Sequence, residues 1–320
     1  MRVVLATAAP LRACFSHGFA PSPHLDYSGS AFKGGSVLIT RRQFSALSVA
    51  TVAGLLSRRA HAATRSGIAF GVQLYTVRNQ VKDLPATLHL IRSIGYTSVE
   101  TFPAVYNRPA SELKALIHDN GLTVPAGHFD YPTLEAKVDY AAELGLEYMV
   151  CPMIPFNQWN TLDGFRKAAE HLNAVAAKAR AAGLKFGYHP HNYEYKPIDG
   201  TNGFAVLMKE LDPAVRLELD VYWAAEGGQD PIALMQQNRE RIALLHIKDR
   251  KPTKGFTYTP MVNEAHGFTE AGSGTIDWKA VLGTAQKLGV SQYFVDQDGT
   301  DLPIDQSLRR NWEYLSQLAF

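Results

Sequence analysis

From Gly67 onward the chain alternates between two textures. Short β-rich runs occur at 68–75 (IAFGVQLY), 97–102 (TSVETF), 123–129 (TVPAGHF), 147–153 (EYMVCPM), 185–190 (KFGYHP), 215–222 (VRLELDVY), 242–248 (IALLHIK) and 291–297 (SQYFVDQ). Between them lie segments with apolar residues at helical spacing, such as 84–94, 134–144, 161–182 and 276–288. Five of these helices run out at a glycine placed just before the next strand: Gly95, Gly121, Gly145, Gly183 and Gly289. Glycine enters the left-handed region without a Cβ clash, so it stops a helix cheaply. Strands alternating with helices imply a parallel sheet, because parallel neighbours need a crossover. Eight units between residues 67 and 320 match the ~250 residues of a closed (β/α)8 TIM barrel. The competing open, doubly wound sheet usually carries a glycine-rich loop after its first strand, and none follows Tyr75. The expected architecture is α/β, one barrel domain over 67–320 with no internal linker.

The first 62 residues read differently. Arg41-Arg42 precedes an uncharged run from Ser45 to Leu56, and Ala60-His61-Ala62 follows. Paired arginines, a short apolar stretch and a small-residue cleavage pattern make a twin-arginine (Tat) signal peptide. The run is too short to cross a bilayer, which takes ~20 residues. Residues 1–36 look structureless, and the true start of the protein is expected further downstream. This segment also carries seven Lys/Arg and one acid, leaving 25 basic and 29 acidic residues, a net charge of −4, on the remainder. A mildly acidic body argues against a groove that tracks nucleic-acid phosphates. Of the two cysteines, Cys14 falls in the segment expected to be removed, so Cys151 has no disulfide partner in the mature protein. The expected location is the periplasm, after passage through the Tat machinery.

In a barrel of this type the C-terminal ends of the strands face the active site. Those ends carry Glu100, then His128 and Asp130, then His189-Pro-His191-Asn-Tyr-Glu194, then Glu218, Asp220 and Trp223, then His246, Lys248 and Asp249, and finally Asp296 and Asp298. Strand side chains alternate faces. With Leu217, Leu219, Leu245 and Ile247 packed on helices, Glu218, Asp220, His246 and Lys248 point inward. Four strands then aim His189, Asp220, His246 and Asp296 at one volume, a nitrogen and oxygen set suited to one divalent ion of Mn, Co, Zn, Fe or Mg. Each member also has a plainer reading, as a hydrogen-bonded core histidine or a loop aspartate. Glu218 needs a partner at its depth, and Lys248 is one option. His128 is expected to touch substrate. Tyr222 and Trp223 either stack on a sugar ring or close the barrel top.

These motifs together resemble the sugar phosphate isomerase/epimerase family of xylose-isomerase-like TIM barrels, from about Phe70 to Phe320. The carriers are Gly71-Val-Gln-Leu-Tyr75, Gly95-Tyr-Thr-Ser-Val-Glu100, Tyr188-His-Pro-His-Asn-Tyr-Glu194, Leu217-Glu-Leu-Asp-Val-Tyr-Trp223, His246-Ile-Lys-Asp249, Glu270-Ala-Gly-Ser-Gly-Thr-Ile-Asp277 and Tyr293-Phe-Val-Asp-Gln-Asp298. The resemblance implies a divalent metal held by Glu, Asp, His and Glu from strands five to eight. Asp220 and His246 match that pattern; His189 stands where the first Glu is expected, and Asp296 replaces the last. Paired glutamates shuttle protons in the family's epimerases, so these departures weaken a simple epimerase reading.

The expected chemistry is proton abstraction beside a carbonyl, with His191, Glu194 or Glu100 as base and Lys248 on a substrate oxygen. Isomerisation, epimerisation or β-elimination would follow, on a free sugar, keto-sugar or glycoside, since export removes the chain from most phosphorylated metabolites. The 250–274 loop, with Gly255, Gly267, Gly272 and Gly274, is either a lid or a loose connection. The expected partner is a small carbohydrate, with self-association left open. The alternatives are a metal-dependent hydrolase of the same superfamily, a two-carboxylate glycosidase, and a non-catalytic sugar-binding barrel.

Overall fold

The computed structural model describes residues 64–253, 255–260 and 267–320. The signal segment expected before residue 63 lies outside the described residues. Among the described residues no helix is long and apolar enough to cross a membrane.

Eight parallel strands close into a barrel: β1 (Phe70–Gln73), β2 (Ser98–Thr101), β3 (Thr123–His128), β4 (Tyr148–Cys151), β5 (Lys185–Tyr188), β6 (Arg216–Asp220), β7 (Ile242–Ile247) and β8 (Gln292–Val295). Each strand pairs with its sequence neighbours, and β1 closes against β8. All eight strand-like runs of the sequence become strands, trimmed by one or two residues at one or both ends. The helix expected at 84–94 spans Leu84–Ile94, and the one at 161–182 spans Leu162–Ala181. All five glycines expected to stop helices have positive φ, from 72° at Gly121 to 135° at Gly95.

Side-chain alternation divides the barrel interior into layers. The lower interior is apolar, filled by Ala126, Tyr148, Val150, Leu244 and Phe294. Gly71 of β1 belongs to this layer, since a Cβ there would overlap Ser98 Oγ and the Phe294 ring. Two residues further along, the same inward faces carry Gln73, Glu100, His128 and His246. The register locks these rows: Gln73 lies opposite Glu100, and Asp220 opposite His246. The strands thus carry apolar filling below and polar groups above on one continuous face.

The segment after β7 is pinned at both ends. Asp249–Arg250 pairs antiparallel with Phe268–Thr269. Residues 254 and 261–266 of the 250–274 loop, read from the sequence as either a lid or a loose connection, lie outside the described residues. Gly272 and Gly274 serve a fixed turn instead: their N–H groups donate to Asp249 Oδ2 at 2.9 and 3.1 Å. A Cβ at Gly274 would collide with the Asp249 carboxylate and the Arg250 carbonyl, so part of the glycine signal reports close approach rather than mobility.

Candidate functional site

A cavity of about 440 Å³ opens at the C-terminal mouth of the barrel. Its polar lining includes Gln73, His128, His189, His191, Asp296 and Asp298; its apolar wall includes Tyr75, Phe102, Met153 and Trp223.

Two groups of side chains at this mouth bring ligating atoms within 4.8 Å of one another, and they share His246. The first is His128, His189, Glu218 and His246; the second is Asp220, His246 and Asp296. The four ligands expected from the sequence are therefore divided. His189 stands with His128 and Glu218, while Asp220 and Asp296 stand on the other side of the His246 ring. His246 turns one nitrogen to each side. Its Nε2 is 2.7 Å from Glu100 Oε2 and 3.3 Å from Glu218 Oε1; its Nδ1 is 3.3 Å from Asp296 Oδ2 and 3.8 Å from Asp220 Oδ2. His128, expected only as a substrate contact, lies with Nε2 2.6 Å from Glu218 Oε2.

Burial sets the protonation states. His189 is buried, and burial outweighs the nearby Glu218 carboxylate and pushes its pKa down to about 4. Burial also opposes charge on His246, but Glu218 and Glu100 outweigh it and hold the imidazole well above its ordinary value. Glu218 stays well below the usual carboxylate range despite burial, because His246 and His128 face it. Glu100, buried and facing Glu218, is raised; Gln73 Nε2 donates to it at 2.8 Å. In the sequence Gln73 has no role beyond its place in the Gly71–Tyr75 motif, because an amide inside a strand does not announce its partner.

Lys248 does not hold Glu218; its side chain is fully buried among other acids and does not line the cavity. Its Nζ lies 2.7 Å from Asp296 Oδ2 and 3.0 Å from Asp220 Oδ2, and it hydrogen-bonds Asp298. Burial opposes the ammonium, but these three carboxylates hold its pKa well above the usual value. Two of the three carboxylates, Asp296 and Asp298, accept hydrogen bonds from the ammonium, and Asp220 Oδ2 faces it as an ion pair. Tyr222 and Trp223 are fully buried and pack with Phe268, so they close the barrel top; of this pair, Trp223 also lines the cavity. Asp220 has a second task as a helix cap, its Oδ1 accepting the Trp223 N–H at 2.9 Å.

His191 and Glu194 occupy separate places. The His191 ring lines the cavity, with its buried Nδ1 lacking a hydrogen-bond partner. Burial holds it well below the ordinary histidine value, so it is neutral. Glu194 sits behind it, accepting the Tyr188 hydroxyl at 2.5 Å and the His191 backbone N–H at 3.0 Å. Burial raises its carboxyl to about 7.

The donor set of the first group fits a divalent ion. His189 Nδ1 and Glu218 Oε1 are buried and have no hydrogen-bond partner, a costly state for polar atoms unless something else meets them. Three imidazoles and one carboxylate suit Zn, Mn, Fe or Co.

Comparisons with known proteins agree with this architecture. The model of the xylose isomerase-like TIM barrel family matches residues 88–296. A sugar phosphate isomerase/epimerase from Parabacteroides distasonis superposes with a TM-score of 0.67 at 25% identity, covering 81% of this chain and 95% of its own. A 3-keto-D-glucoside 4-epimerase from E. coli gives 0.58 at 19% identity, covering 78% and 98%. The IOLI protein, solved with a zinc atom, gives 0.59 at 15% identity, covering 77% and 96%. Among curated proteins, none matches the chain in sequence. With its closed eight-stranded barrel and a family match over most of its length, the chain belongs to the xylose isomerase-like TIM barrels.

Proposed function

We propose that the protein is an exported, metal-dependent sugar isomerase or epimerase-like enzyme that removes a proton next to a carbonyl. Its substrate is a free sugar, keto-sugar or glycoside, and β-elimination is one outcome of the same first step. The observation that carries this reading is the buried four-donor group, His128, His189, Glu218 and His246, at the edge of an open cavity. Three of the structural relatives point the same way by name: two isomerase/epimerases and a zinc-bearing barrel.

These four residues would hold the ion. A divalent ion there supplies Lewis-acid polarisation of a carbonyl oxygen. The rest falls to the chain's own groups. The neutral His191 ring lines the cavity and accepts the proton there. Glu194 fixes the backbone of His191 from behind. Asp296 lines the cavity while Lys248 holds its Oδ2, so its carboxylate is placed to accept a sugar hydroxyl. The faces of Trp223 and Phe102 cover the apolar side of a ring. Glu100 sits behind His246 with no exposure and does not line the cavity, which favours His191 over it as the base.

The test is elemental analysis of protein recovered from the exported fraction, followed by assay against free sugars, keto-sugars and glycosides with and without chelator. A stoichiometric ion and chelator-sensitive turnover are expected. Binding without turnover after metal is restored would make this a sugar-binding barrel, and full activity in chelator would make the chemistry metal-free.

A further inference from the structure

We propose that Lys248 is a built-in cation whose ammonium fills a place that would otherwise take a second divalent ion. Its side chain is fully buried, as is that of Asp220, and those of Asp296 and Asp298 are 7% and 10% exposed. Nζ lies 3.0 Å from Asp220 and 2.7 Å from Asp296 and bonds Asp298. On its other side stand the rings of Trp223, Tyr222 and Phe268, with centroids 5.4, 5.9 and 5.9 Å from Nζ.

Each half of this cage has a physical meaning. Three buried carboxylates cannot share a volume without a counter-charge. Three aromatic faces favour a cation and block the lysine from swinging out. His246 Nδ1, buried and without a hydrogen-bond partner, faces Asp296 and Asp220. Without the ammonium, three carboxylates and one imidazole nitrogen would surround the vacated space. That is the donor chemistry of Mn or Zn, and of Mg through its oxygens. With the ammonium in place, a divalent ion has neither room nor free charge to attract it. Lys248 therefore limits the barrel mouth to one divalent ion. The count of one rests on the proposed four-donor site across the His246 ring; the blocking role of Lys248 does not.

The experiment is Mn(II) binding by equilibrium dialysis, with elemental analysis of the dialysed protein. The unaltered chain is expected to hold one ion and Lys248→Ala two. Lys248→Met/Asp298→Asn, which removes one buried anion together with the ammonium, keeps Asp220, His246 and Asp296 and is expected to gain the extra ion even if Lys248→Ala is insoluble. A gain of one ion in either variant supports the proposal, including the case where the unaltered chain holds none, which would remove only the four-donor site. No gain in either variant, or two ions in the unaltered chain, overturns it.

Discussion

The indole N–H of Trp278 donates to Asp249 Oδ2 at 3.0 Å, and that contact is one of five on a single buried carboxylate. The backbone N–H groups of Arg250, Gly272, Gly274 and Ile276 supply the others, at 2.7 to 3.1 Å. Asp249 thus ties the end of β7 to the turn before helix Trp278–Lys287. It touches none of the proposed metal ligands, so its expected role is stability. Asp249→Ala leaves five donors without an acceptor and is expected to destabilise the fold by about 3 kcal/mol, measured by urea unfolding. A change below ~1 kcal/mol would show that the turn is held by other contacts.

Glu194 makes stability depend on pH in an unusual direction. Its folded pKa is raised from 4.5 to about 7 by burial. Between these values the folded chain keeps a proton that the unfolded chain has lost, so stability falls as pH rises through this window. The loss approaches about 3 kcal/mol by pH 8, since each tenfold difference in proton affinity between the folded and unfolded chain is worth about 1.4 kcal/mol. Glu194→Gln, neutral at all pH values, is expected to be more stable than the unaltered protein at pH 8, with the gap closing near pH 4.5. Parallel unfolding curves across this range would remove the raised carboxyl.

His189 and His191 flank Pro190, yet they are expected to fail differently. His189→Ala removes a donor of the four-donor group and is expected to lose the ion in elemental analysis. His191→Asn removes the proton acceptor and is expected to keep the ion while kcat falls by roughly 10²- to 10⁴-fold. Loss of the ion in His191→Asn would move that residue into the metal site.

The paired arginines are expected to govern export. Replacing both Arg41 and Arg42 by lysine should leave a precursor inside the cell, seen by fractionation and N-terminal sequencing. Normal processing of that variant would exclude the twin-arginine route.

The linear pattern determined the barrel and its polar mouth. Period-2 and period-3.6 apolar spacing and the terminal glycines act over a few residues, so β1 to β8 and the helix stops were legible in the chain alone. Strand parity also set Glu218, Asp220, His246 and Lys248 inward, because alternation is a local property of the backbone. Tertiary structure decided who meets whom across the mouth. The split of the expected ligands into two groups, the recruitment of His128 and Glu218, and the enclosure of Lys248 by three aspartates depend on barrel closure and inter-strand register. Those distances join residues up to 146 positions apart, as in the contact of Glu100 with His246. No periodicity along one strand encodes the reach of a side chain from another, so partner choice was fixed only when the sheet closed.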